Sequence, residues 1–133
     1  IEKKLQLTIH EIFQRKGEIF FRKLEEEITL EQIEKKNKVI SLGGGAFMNE
    51  KIRSYVISYT KSFWLHIDIN QLEKRLDISK KRPLLTNKNI GLTLKKIFNE
   101  RKNIYALANH KIDCNNLTTN LIINKIIKLY END

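Results

Sequence analysis

Cysteine occurs once in the 133 residues, at Cys114, so no disulfide can close within the chain. A small buried hydrophobe in a reducing compartment is the expected role for it. Proline also occurs once, at Pro83, and no repeat, low-complexity tract or linker interrupts the chain. One domain over residues 1–133 is therefore expected. No apolar run approaches the roughly 18 to 20 residues that a bilayer span needs, and no signal-peptide pattern opens the sequence. The expectation is a cytoplasmic protein with no membrane partner. The three histidines, His10, His66 and His110, lie too far apart in sequence for a metal-ligand spacing. No Ser/His/Asp or Cys/His arrangement is present.

Acidic residues are also comparatively few. Lys and Arg number 25 against 16 Asp and Glu, a formal net charge of +9. The excess is mostly lysine, in a chain also rich in Ile and Asn, the residues that A/T-rich codons encode. The lysines are scattered, with no aromatic-interleaved basic stripe, so no nucleic-acid partner is expected. An attraction for small anions follows from the charge. With 41% hydrophobic residues the chain can build one compact α/β core.

Apolar positions Ile1, Leu5, Ile9, Ile12 and Phe13 follow a helical period. Thr8 and Glu11 form a Thr-x-x-Glu capping box, which predicts a break near Leu7 and a helix from Thr8 to about Arg15. Gly17 punctuates it, and Phe21, Leu24 and Ile28 mark an amphipathic helix from Glu18 to about Lys36. Val39–Leu42, ahead of Gly43-Gly44-Gly45, reads as a buried parallel strand ending in a glycine turn. Asn49 caps a helix to about Ser58, Phe63–Ile67 reads as a second buried strand, and Asn70 as the cap of a short helix. Residues 78–90, with the proline and four basic residues, suit an exposed loop. A helix through Leu94, Ile97, Phe98 and Ile104 follows. His110–Cys114 is a third candidate strand, and Thr118 caps a last helix with Leu121, Ile122, Ile126 and Leu129 inward. Strands alternating with helices imply a parallel sheet covered on both faces.

Four features bear on chemistry. Arg22 lies one turn into an amphipathic helix after Gly17-Glu18-Ile19-Phe20-Phe21. Gly43-Gly44-Gly45 follows a strand-like run, Arg82-Pro83-Leu84-Leu85 sits in the loop, and Arg101 precedes Tyr105 by four residues. Three glycines let a ligand approach bare backbone N–H groups, although a tight strand-to-helix turn uses glycine too. Each arginine taken singly is an ordinary solvated charge. Glu25, Glu26 and Glu27 follow Arg22; Glu25 is placed to orient it, but the run reads first as a solvated acidic face.

Taken together, and in this order, these segments resemble shikimate kinase, as do Ile1-Glu2-Lys3-Lys4, Thr8–Phe13 and Ala46–Asn49. The resemblance covers essentially the whole chain. It implies a P-loop kinase fold, ATP and Mg²⁺ as cofactors, and phosphorylation of the 3-hydroxyl of shikimate in aromatic amino-acid biosynthesis. It assigns the shikimate carboxylate to Arg22 and Arg101, the ring hydroxyls to Gly44, and a supporting turn to Gly43 and Gly45. Helices over residues 1–36 would bind substrate, and the loop at about 78–90 would be a lid. On that lid, Arg82 would be the catalytic, ATP-binding arginine closing over the phosphates. Ser41 falls in the family's divergent Walker B position. Shikimate and ATP are the partners implied, with a monomer the expected state.

The pattern is incomplete. Residues 1–133 contain no Gly-x-x-x-x-Gly-Lys-Ser/Thr loop to cradle phosphate and hold the metal through its hydroxyl. The family's Asp-x-Asp segment would fall just before Ile1. Gln6 stands where a helix-ending glycine is common, and Leu117 near where some members place an adenine-stacking arginine. The chain opens on Ile1 and on helices, where such a fold opens on a strand. The expectation is a domain whose first strand, P-loop and most of the second strand lie outside these residues, and which is inactive alone. A catalytically dead shikimate-binding module and a related metabolite kinase such as gluconate kinase are the alternatives.

Overall fold

The structure is a computed structural model describing residues 1–35, 37–76 and 90–132. They fall into two compact units, Ile1–Thr60 and Lys61–Asp133. The fold class is α/β, with a parallel sheet and helices.

In the first unit, helix α1 (Glu2–Leu5) ends at Gln6, whose φ of 52° and ψ of 35° are left-handed. Gln6 thus adopts the helix-ending conformation that glycine reaches without steric cost. Helix α2 (Ile9–Ile33) begins with the predicted capping box. Thr8 Oγ1 accepts from the Glu11 N–H at 3.2 Å, and Glu11 Oε2 accepts from the Thr8 N–H at 2.8 Å. Gly17, at φ 79° and ψ 170°, divides α2 into two helical stretches, a backbone that L side chains resist. Across that break the Phe13 and Phe21 rings meet at 4.7 Å. A 3₁₀ turn (Ala46–Met48) leads into α3 (Glu50–Tyr59), capped by Asn49 as expected, its Oδ1 accepting from the Ile52 N–H at 3.1 Å. The apolar sides of α2, the turn and α3 bury Ile12, Phe21, Leu24, Ala46, Phe47, Ile52 and Val56. This core fixes the glycine turn against the middle of α2.

Val39–Leu42 does not form the expected buried strand. The segment is irregular, and Val39 is fully exposed. A strand needs a ladder partner for its backbone groups, and the ladder among the described residues joins two other strands.

Those strands are in the second unit. β1 (Phe63–His66) pairs in parallel with β2 (His110–Asp113), in register from Phe63 opposite His110 to His66 opposite Asp113. Polar side chains hold both ends of the pair. The Ser62 and Asp68 N–H groups donate to Asn109 and Asn115 at 3.1 and 2.9 Å. Helix α4 (Ile69–Leu76) starts two residues earlier than expected, with the Asp68 carbonyl accepting from Gln71 and Leu72. Asn70 therefore lies inside the first turn and does not cap it. Helix α5 (Ile90–Tyr105) packs on α4, and α6 (Thr119–Asn132) on β2. Ile67, Ile112 and Cys114 are buried, which gives Cys114 the packing role expected of it. In α6, Ile122, Ile126 and Leu129 are half-buried, but Leu121 is exposed, contrary to expectation. The two strands among the described residues make too narrow a sheet to cover the whole apolar face of α6.

Candidate active site

Arg22 and the glycine turn come together in the first unit. Arg22 lies on the α2 stretch after Gly17, where it can reach one turn in either direction along the helix. Its Nε and Nη2 donate to Glu18 Oε1 at 3.3 and 3.2 Å, and its Nη1 donates to Glu25 Oε2 at 2.7 Å. The Glu25 side chain is only 15% exposed, so the expected solvated acidic face is corrected at this residue. The glycine turn and the α2–α3 packing supply the burial. Desolvation pulls the Arg22 pKa down, but the hydrogen bonds and charges of Glu25 and Glu18 outweigh it and raise the value above the ordinary one. Arg22 therefore stays cationic. The guanidinium has five N–H donors, and its three bonds to described residues leave two N–H groups for a planar anion.

The turn lies directly against that guanidinium. A Cβ placed on Gly45 would be 2.9 Å from Arg22 Cζ and 3.0 Å from Nη2, while one on Gly43 would be 3.6 Å from Glu25 Oε1. Gly44 lies between them. The Ala46 N–H donates to the Gly43 carbonyl at 2.9 Å and closes the turn. Side chains outside it hold it in place. Glu26, next to Glu25, accepts from Asn49 Nδ2 at 2.6 Å and from Lys51 Nζ at 2.8 Å. Arg53 Nη1 donates to the Phe47 and Met48 carbonyls at 3.2 and 2.9 Å.

Arg101 is on α5 in the second unit, half-buried, with no hydrogen bond or ion pair to a described residue. Arg82, with most of the loop at about 78–90, lies outside the described residues. Ser41 is on the irregular, exposed segment after Val39. Among the described residues, no group of three or more His, Cys, Asp or Glu could hold a metal ion. None of the helices among the described residues is long and apolar enough to cross a membrane. Sequence reasoning missed Glu18, although its i,i+4 spacing to Arg22 was a usable signal. It also missed the Glu26–Asn49–Lys51 link, which spans more than twenty residues and has no local signature.

The family model for shikimate kinase matches residues 1–131. The chain belongs to the shikimate kinase family. It is 38% identical over 132 residues to the shikimate kinase of Bartonella quintana, covering 99% of this chain and 63% of that protein. Against the Bacillus licheniformis shikimate kinase the identity is 37% over 131 residues, covering 97% and 73%. Among solved structures, the Acinetobacter baumannii shikimate kinase in complex with shikimate superposes with a TM-score of 0.91 at 27% identity, covering 98% of this chain and 74% of that one. The Aquifex aeolicus shikimate kinase gives 0.82 at 34% identity, covering 98% and 76%. The chain thus spans about two thirds to three quarters of the length of these family members. The neighbours bear out the expected P-loop kinase fold class.

Proposed function

We propose that the protein transfers a phosphoryl group from ATP to the 3-hydroxyl of shikimate, in the cytoplasm, and that residues 1–133 supply the part of the site that holds shikimate. The observation carrying this reading is the Arg22 guanidinium, held by Glu18 and Glu25 against Gly43–Gly45 with two donors unspent. A planar fork of N–H groups suits a small carboxylate, whereas a lysine would offer a point charge. The A. baumannii relative was solved with shikimate bound, which supports the same acceptor here. On family pattern alone, Arg101 is assigned to the same carboxylate and Gly44 to the ring hydroxyls. Arg82, on family pattern alone, meets the charge that spreads over the phosphoryl group during transfer.

Mg²⁺ goes with ATP in this family, but the described residues include no cluster of His, Cys, Asp or Glu that fits it. Phosphate needs a cradle of aligned N–H groups, and residues 1–133 contain no such loop. A fusion of residues 1–133 behind the corresponding N-terminal strand and loop of the B. quintana relative tests the division of labour. Shikimate-dependent ADP formation is expected from the fusion and not from residues 1–133 alone. A fusion that is folded and binds ATP but ignores shikimate would overturn the reading.

A further inference from the structure

We infer that Gly45 is a positioning residue for Arg22: the absence of a side chain there sets where the guanidinium lies. The inference rests on the reading of Arg22 as the carboxylate-holding group. Gly45 has φ −75° and ψ −32°, a right-handed conformation open to any residue, so its backbone does not require glycine. Gly17 is the opposite case, with a left-handed φ of 79° and nothing within 4 Å of an added Cβ. Space is what Gly45 provides. An added Cβ would lie 2.9 Å from Arg22 Cζ, closer than real Cβ atoms come, and nearer still to Nη1. Those atoms are the far end of a flexible side chain, so a methyl group there displaces the guanidinium and leaves the fold intact. Glu18 and Glu25 hold the guanidinium from its own helix, and the bare Cα of Gly45 bounds it from the turn. Displacement swings the remaining donors away from the ligand, because a fork bonds two oxygens only within a narrow geometry. Gly43 provides the internal contrast, since its added Cβ would make an ordinary contact at 3.6 Å.

The test uses the full-length protein, ¹⁵N-labelled, with steady-state kinetics alongside. Gly45→Ala is expected to shift the Arg22 Nε–H resonance and to raise the KM for shikimate on the order of ten-fold or more, with the KM for ATP held. Gly43→Ala is expected to leave the Arg22 resonance in place. In an Arg22→Lys background, which lacks the overlapping atoms, Gly45→Ala is expected to add little to KM. An unmoved Arg22 resonance in Gly45→Ala overturns the inference, and so does an undiminished rise in KM in the Arg22→Lys background. Should Gly45→Ala melt early, Arg22→Ala in the same chain is expected to restore the melt of Arg22→Ala alone. Failure to restore it places the lesion in the turn and overturns the inference. If the resonance moves in Gly45→Ala and not in Gly43→Ala while the protein ignores shikimate, positioning stands and the substrate reading fails.

Discussion

Exchanging Arg22 for lysine keeps the charge and removes the fork. An ammonium group can serve one of Glu18, Glu25 or a ligand well, but it cannot bridge all three in one plane. Arg22→Lys is therefore expected to cost about 1.5–3 kcal/mol of shikimate binding, read as a raised KM for shikimate with the KM for ATP nearly unchanged. Arg82→Ala is expected to do the reverse, lowering kcat while shikimate binding holds, because the charge it meets develops during transfer. Steady-state kinetics with the two phenotypes exchanged would contradict the role assignments. At this scale Arg22 was legible because an arginine one turn into an amphipathic helix stood beside a glycine run in a recognisable order. Its partners were less so. An acidic run on a helix is usually solvated, and what buries Glu25 is a turn some twenty residues further along the chain.

Helix starts were the most legible elements, because a cap is local chemistry. The Thr8–Glu11 box, the Asn49 cap and the break at Gly17 all stand where the sequence put them. Asn49→Ala is expected to lower stability by about 1 kcal/mol from the lost cap, and Ile52→Ala by about 2–5 kcal/mol from the core cavity, both measurable by denaturant unfolding. Acid should loosen the same junction. The Lys51 hydrogen bond, then that of Asn49, holds the Glu26 carboxyl below its ordinary value of 4.5. Because the folded pKa is depressed, this contribution is present above the ordinary value and is lost as pH falls from there through the folded one. Glu26→Gln is expected to flatten that part of the pH–stability curve, and a curve unchanged by the substitution would rule the link out as its source. Val39–Leu42 misled because a buried strand and an apolar segment without a partner look alike in one dimension. Pairing decides between them.

For the molecule as a whole, alternating strand and helix patterns were enough to assign the α/β class, and the order of short motifs was enough to assign the family. The strand pairing was not, since the β1–β2 register joins segments more than forty residues apart. Large apolar side chains remain open to water in both units, Val39 in the first and Ile123, Ile127 and Tyr130 in the second. Residues 1–133 prepared alone are expected to bind a hydrophobic dye and to melt over a broad range; a sharp monomeric transition without dye binding would contradict that. The acceptor is read from ADP release by the full-length protein given ATP with shikimate, with gluconate, or with neither. Phosphoryl transfer to shikimate predicts ADP release that depends on shikimate and is far slower with gluconate or with no acceptor. Release that ignores shikimate, or that prefers gluconate, would contradict it.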